Sequence, residues 1–173
     1  GLLAGLTKKG KFHDCLCAYL ATFAVFAGVA VMLYPTTVFV EAIGINIQTM
    51  VCHGSMITLG VYLYASGHVK LEHKTVLKAI PVFAVMVSAA VIMNEIAHAS
   101  GLLERETFNM FFVSPYCEPS LPVYSTVQGL VPFPWCLVLY IAGFTAAAYI
   151  ILLVAMGIGK LSKRIQNKKA IVS

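Results

Sequence analysis

Three stretches of about twenty mostly apolar residues constrain this chain more than any other feature of its sequence. They run from Cys15 to Leu33, from Val76 to Ala97 and from Trp135 to Ile158. As helices, each is long enough to cross the hydrocarbon core of a bilayer, which is about 30 Å thick. Hydrophobic residues make up 60% of the chain and charged residues only 11%, far below the charged share of soluble domains. The sequence therefore predicts an all-α, polytopic transmembrane protein.

A fourth stretch, Ile47 to Ala65, is also long enough to cross but is less apolar. It carries five polar residues, namely Gln48, Thr49, His53, Ser55 and Thr58. We interpret it as a span that neighbouring helices shield from lipid. The expected fold is a bundle of four spans that forms a single transmembrane domain over residues 1–173, with a basic tail from residue 160 to the end.

Lysines and arginines indicate how this bundle is oriented. They form three clusters: Lys8, Lys9 and Lys11; Lys70, Lys74 and Lys78; and Lys160, Lys163, Arg164, Lys168 and Lys169. Four alternating spans place all three clusters on one face and only Arg105 on the other. Because cationic loops resist translocation, the clusters are expected to be cytoplasmic. The sequence thus predicts a multi-pass protein of the cell membrane with a cytoplasmic C-terminus.

The net charge of +5 follows from this topology. It indicates contact with anionic lipid headgroups rather than with nucleic acid. Membrane lipids are therefore the expected partners, and no cofactor is indicated.

The chain begins at Gly1, and "GLLAGL" followed by "TKKGK" is typical of an earlier span that ends in a basic loop. We expect the sequence to be a fragment, with N-terminal spans of the same protein as partners of the helices here. A signal peptide is the alternative. The apolar run that follows is too long for its hydrophobic region, and no small-x-small cleavage site precedes Tyr34.

The segment from Phe108 to Trp135, which we call the cap, joins two of the apolar stretches. It contains five of the seven prolines, namely Pro115, Pro119, Pro122, Pro132 and Pro134. Proline lacks an amide donor and disfavours helix, so the cap is predicted to be extended or turning. Its aromatic character predicts that it folds onto the outer surface of the bundle or dips into it, with Tyr116 and Trp135 at the interface.

Three ionisable or amide side chains lie near the end of the third apolar stretch, in "MNEIAHAS". Asn94, Glu95 and His98 occupy neighbouring positions on one helical face because residues three or four apart meet on a helix. By the topology above, His53 lies at the same outer level. Three interpretations compete: an acid/base site of His53, Glu95 and His98, a metal site from the Glu-x-x-His spacing, and a structural pair of Glu95 and His98 at a helix end.

The metal interpretation is the weakest, because a single Glu-x-x-His and a lone histidine do not complete a ligand set. Cys15 and Cys17 likewise form only C-x-C with no second pair. Cys117 and Cys136 lie on the side where a disulfide is permitted, although their spacing does not imply one. No metal site is therefore predicted.

Small residues recur where helices would pack. The first span carries Ala18, Ala21, Ala24 and Gly28, and the last has Gly143 four residues before Ala147. Such spacing lets helix backbones approach closely in a membrane.

Two motifs carry a resemblance to a known family. "NMFFVSPYCEPSL" followed by "GLVPFPW", and "YPTTVFV" followed by "VCHGSM", resemble the YwaF-type integral membrane proteins, a bacterial family related to a eukaryotic membrane protein described as an acyltransferase for ether phospholipids. Val131 and Phe133 stand where the family commonly has Gly and Trp. The resemblance covers most of the chain from Tyr34 to the last span, and implies that the chain is the C-terminal half or two-thirds of a protein with six or seven spans.

The resemblance implies acyl transfer through a cysteine thioester, with the cysteine in an earlier helix and His53 as its base. Together with the acid/base interpretation of Glu95 and His98 given above, this predicts a lipid-handling pocket at the outer leaflet, between the second and third spans and the cap. Its catalytic candidates are His53, Glu95 and His98. The candidates for substrate contact are Asn94, Asn109, Tyr116, Ser120 and Trp135. Two other functions remain open: a transporter or channel subunit in which His53, Glu95 and His98 relay protons or ions, and a non-catalytic membrane scaffold.

Overall fold

The computed structural model describes residues 1–35, 38–101, 108–117, 121–133 and 135–172, and every regular element within them is a helix. The chain runs through α1 (Leu2–Leu6), α2 (Lys11–Tyr19), a π-helical segment (Leu20–Ala24), α3 (Val25–Leu33), α4 (Ile43–Ala65), α5 (Lys74–Ser100), a 3-10 turn (Met110–Phe112), α6 (Pro122–Leu130) and α7 (Trp135–Val172). The all-α prediction is confirmed for the described residues.

Three helical stretches within the described residues are long and apolar enough to cross a membrane: Lys11–Leu33, Lys74–Ser100 and Trp135–Asn167. They contain the three apolar stretches of the sequence. The helix α4 is continuous over 23 residues, which corresponds to about 34 Å of axial rise. Its polar residues lower its hydropathy, so its crossing of the membrane stays a prediction.

The helix α7 continues well beyond the predicted end of the last span. It runs to Val172, so the described part of the basic tail is an extension of this helix.

The described residues group into two compact units, Gly1–Ile80 with Thr145–Ser173, and Pro81–Phe144. In the first unit, buried residues of α1, the first span, α4 and the following loop form one core, which consists of Ala4, Cys17, Ala21, Leu63 and Val69. Ala18, Ala21 and Ala24 are buried. The small residues of the first span thus serve close packing, as predicted.

Two glycines bring α4 against the first span. A Cβ atom on Gly28 would lie 2.7 Å from the carbonyl oxygen of His53, and one on Gly60 would lie 3.1 Å from the carbonyl oxygen of Leu20. These pairings run in opposite directions along the chain, so the two helices are antiparallel. A Cβ on Gly143 would meet no described residue within 4 Å, so close helix packing at this position stays a prediction.

The second unit is built around aromatic rings. The ring of Phe83 lies 5.7 Å from that of Phe144 and 6.1 Å from that of Tyr140, between centroids. Tyr140 in turn meets the edge of Tyr124 at 5.0 Å. This cluster joins α5 and α7 to the cap, because Tyr124 belongs to α6.

The cap contains a helix, and the prediction that prolines exclude regular helix from it was wrong. Pro122 begins α6, and the helix runs nine residues to Leu130. Proline is compatible with the first turn of a helix, where its missing amide hydrogen has no intrahelical acceptor.

Candidate functional site

His53 lies in the middle of α4 and is half-buried. Its Nδ1 lies 2.8 Å from the carbonyl oxygen of Thr49. A carbonyl oxygen only accepts hydrogen bonds, so Nδ1 carries the proton. In the neutral imidazole the lone pair is then on Nε2, which is the form that a general base requires.

The backbone around His53 is fixed by the first span, because Gly28 packs against its carbonyl oxygen. Cys17 precedes Gly28 by about 16 Å of helical rise, so its thiol is not within hydrogen-bonding reach of His53. Cys52 is the neighbour of His53 and points about 100° away around α4. If His53 activates a thiol, that thiol belongs to neither of these cysteines.

Asn94, one of the predicted substrate contacts, is 2% exposed and binds the cap. Its Nδ2 donates to the carbonyl oxygen of Met110 at 3.1 Å, and its Oδ1 accepts from the amide of Met110 at 2.8 Å. The side chain thus pairs with both backbone groups of one residue. This fixes the start of the 3-10 turn against α5.

Glu95 and His98, which the sequence places on one helical face, meet the same cap residue. The hydroxyl of Tyr116 donates to Oε2 of Glu95 at 2.8 Å, and the ring of Tyr116 stacks on that of His98 with centroids 3.5 Å apart. The hydrogen bond to Glu95, followed by desolvation and the carboxylate charge, raises the pKa of Tyr116. Glu95 and His98 thus lie on one face of α5, as predicted. A catalytic role of Glu95 and His98 stays a prediction.

The other three predicted substrate contacts do not share a common set of neighbours in the described structure. Oδ1 of Asn109 accepts a hydrogen bond from the amide of Ser114 at 2.9 Å. This bond joins two positions of the cap loop, as we call residues 108–117. Trp135 is 66% exposed at the start of α7. Ser120 lies outside the described residues. Substrate contact by Asn109, Ser120 and Trp135 stays a prediction.

The cap loop holds two aromatic residues in a left-handed conformation. Phe111 has φ 61° and Phe112 has φ 58°, which is uncommon for bulky side chains and costs about 1–3 kcal/mol for each residue. The hydroxyl of Tyr140 donates to the carbonyl oxygen of Phe111 at 2.8 Å, and the Phe111 ring lies near that of Phe83. Together with the Asn94 bonds, these contacts hold the loop in its strained form.

An apolar groove of about 440 Å³ lies between α5 and α7 in the second unit. Its walls include Val87, Ser88, Val91, Trp135, Val138 and Ile141. Both helices contain candidate membrane spans, and Trp135 and Val138 are exposed. The groove is thus an indentation in an exposed surface of two candidate membrane spans, and its volume is within the range of ligand sites.

One thiol–imidazole contact was missed in the sequence. Sγ of Cys17 lies 3.6 Å from Nε2 of His13, and Cys17 is 4% exposed. The spacing of four residues on a predicted helix was a sufficient signal for this pair. The thiol is buried, and the ring of His13 gives it a polar contact there.

A family model described as the TMEM164 family matches residues 4–156. No curated protein and no solved structure matches the chain. The match, together with the apolar helices, shows an integral membrane protein. Its name differs from the YwaF-type family that the motifs resemble.

Proposed function

The chain belongs to the TMEM164 family, and for this integral membrane protein we propose a function in handling the acyl groups of membrane lipids. The observation that carries the proposal is the tautomer and the orientation of the His53 ring. Its Nδ1 donates a hydrogen bond to the carbonyl oxygen of Thr49. This bond orients the ring and leaves the lone pair of Nε2 available to accept a proton.

In the proposed reaction, Nε2 of His53 takes the proton of a thiol. The sulfur attacks the carbonyl carbon of a lipid acyl ester, a C–S bond forms, and the ester C–O bond breaks. The departing alcohol oxygen takes the proton back from His53, and a thioester remains. The YwaF resemblance implies that this thiol lies in an earlier helix of the same protein.

The groove between α5 and α7 supports the same proposal. It offers apolar walls to an acyl chain on a face of two candidate spans. Among the described residues, Trp135 is the one predicted substrate contact that lines it. We propose membrane lipids as partners. We also propose that α4 completes four crossings of the cell membrane and that the C-terminus is cytoplasmic, because only this arrangement puts the three basic clusters on one side.

The experiment is a covalent trap in the full-length protein. Membranes are supplied with a phospholipid whose acyl chain carries an alkyne, and the hydroxylamine-sensitive acyl adduct on the protein is measured. We expect His53→Ala to reduce the rate of adduct formation by about 100-fold or more, which is the usual contribution of a general base. His68→Ala is the matched control, since His68 is an exposed histidine of the loop after α4.

An adduct that forms equally fast in the His53→Ala variant would remove His53 from the mechanism. A pH-dependent flux in proteoliposomes that disappears with Glu95→Gln, without any lipid product, would favour a relay function instead.

A further inference from the structure

The last part of α7 carries apolar and basic side chains on different sides of the helix. We call residues 158–167 the basic extension. Ile158, Leu161 and Ile165 follow the spacing i, i+3, i+7 and lie within about 60° of one another around the helix axis. They are 64%, 59% and 49% exposed. Neither the sequence motifs nor the proposed reaction assigns a role to this apolar stripe.

The charged residues of the basic extension all carry positive charge. Lys160, Lys163 and Arg164 lie between about 90° and 170° away from the middle of the apolar stripe, and all three are exposed. No other described residue forms an ion pair with them. The sequence has no Asp or Glu after Glu118, so α7 carries no negative charge that offsets theirs.

The helix α7 is longer than a membrane crossing requires. It is uninterrupted over 38 residues, whereas about 20 residues cross the hydrocarbon core. The loop after α4 contacts it at two levels. The hydroxyl of Tyr149 is 2.6 Å from Nδ1 of His73, and a Cβ on Gly159 would lie 3.0 Å from Cδ1 of Leu71. Beyond Gly159 every residue to Asn167 is exposed, so no described element covers the apolar stripe.

Geometry and charge restrict what covers this stripe. An amphipathic helix binds a bilayer by lying in the plane of its surface, whereas the basic extension continues a candidate spanning helix without a break. A second copy packed in parallel would bring two sets of basic residues together, with no acid to pair with them. The fitting partner is therefore an acidic protein with an apolar groove that accepts side chains at i, i+3 and i+7.

We propose that the basic extension is the target helix of an acidic EF-hand protein in its calcium-loaded form. Such a protein carries clustered carboxylates in its calcium loops, and calcium opens it to expose an apolar groove. Ile158, Leu161 and Ile165 enter this groove. Lys163 and Arg164 meet its acidic rim. The inference is independent of the acyl reaction, because it uses no residue of the proposed site.

The experiment uses calmodulin as the probe, an EF-hand sensor with a Met-rich groove. Fluorescently labelled calmodulin is titrated with the whole protein in detergent micelles, once with calcium and once with a chelator. We expect a saturable complex in calcium. We expect at least about ten-fold weaker binding in the chelator, because the closed sensor offers no groove to the apolar stripe.

Variants on α7 attribute the binding to the two kinds of side chain. Leu161→Ala and Ile165→Ala each remove one apolar contact and keep a good helix former, so each should weaken binding about ten-fold or more. Lys163→Gln combined with Arg164→Gln should weaken it mainly at low salt, where exposed charges are least screened. Asn167→Ala, at an exposed position opposite the apolar stripe, is the matched control and should bind like the wild type.

The absence of a complex in calcium, or equally tight binding in calcium and in the chelator, would overturn the proposal. The titration is repeated in nanodiscs that contain phosphatidylserine. A complex that forms in micelles and is lost there would assign the stripe to the membrane surface instead. Sedimentation without calmodulin tests a second copy: a wild-type dimer that becomes a monomer in Leu161→Ala would assign the stripe to self-association. None of these results bears on the alkyne-lipid trap.

Discussion

Gly28 and His53 face each other across two antiparallel helices, and the missing side chain of the glycine sets how closely the histidine backbone approaches the first span. A Cβ on Gly28 would also lie 2.9 Å from Cγ1 of Ile57. Because the nearest obstacle is a backbone oxygen, a rotamer change cannot relieve the clash. Any side chain at this position must move α4, and His53 with it.

We therefore expect Gly28→Ala to lower the free energy of unfolding by about 1–3 kcal/mol, as overpacking does in other cores, and to slow formation of the acyl adduct. Thermal unfolding in detergent and the alkyne-lipid trap measure the two effects. Gly54→Ala is the control, because a Cβ there meets no described residue within 4 Å and alanine favours helix. If Gly28→Ala were as stable as Gly54→Ala, the close approach would not hold in the membrane.

At the scale of elements, the cap is an ordered segment that α5 and α7 hold from several sides. Asn94 binds both backbone groups of Met110, Tyr140 binds the carbonyl oxygen of Phe111, and Tyr116 reaches Glu95 and His98. These bonds offset the strain of the left-handed aromatic residues. The conformation of the cap therefore depends on these contacts with α5 and α7.

The bond between Tyr116 and Glu95 gives the cap a dependence on pH. The pKa of Tyr116 is raised above its ordinary value of 10.0 in the folded protein, so its protonated form is stabilised by folding. The stabilisation is complete below the pKa of unfolded tyrosine and is lost as pH rises through the raised value. Ultraviolet difference titration of the wild type against Tyr116→Phe should show this tyrosine ionising above pH 10.

In a Glu95→Gln background the pKa of Tyr116 should fall toward the ordinary tyrosine value, since the carboxylate charge is gone and the acceptor is weaker. Glu72→Gln, which changes a carboxylate paired with Lys78, is the control. The same titration curve in the Glu95→Gln background would show that Tyr116 does not depend on Glu95.

At the scale of the whole molecule, the number of crossings depends on α4. With four crossings, the loop after α4 and the C-terminal helix lie on one side of the membrane and the loop before α4 on the other. With three, the loops before and after α4 share a side.

Single cysteines in a cysteine-free background separate these topologies. Glu41→Cys, Ser66→Cys and Gln166→Cys are all at exposed positions. We expect a membrane-impermeant maleimide to label Glu41→Cys in intact cells, and to label the other two only after the cytoplasmic face is opened. Labelling of Ser66→Cys together with Glu41→Cys in intact cells would contradict the crossing of α4.

The sequence was sufficient for features that depend on local composition or helical spacing. Apolar length predicted the three long helices, and the three- and four-residue spacings placed Glu95 and His98 on one face. It was insufficient where a contact joins distant segments, as between Tyr116 and Glu95, or where proline begins a helix, as at Pro122. Oε1 of Gln128 is shielded from solvent and has no hydrogen-bond partner among the described residues. No sequence pattern predicts this, because it depends on which distant residues surround the side chain.

The π-helical segment Leu20–Ala24 has a consequence for how this protein tolerates insertions and deletions. A π turn holds about one residue more than an α turn, so the wider turn absorbs the rotation of about 100° that one residue adds to a regular helix. The two halves of the first span therefore keep the relative orientation of an uninterrupted helix that is one residue shorter. Loss of a single residue here would restore a regular helix and leave Gly28 against His53. The segment should therefore tolerate the loss of one residue better than the regular turns on either side of it.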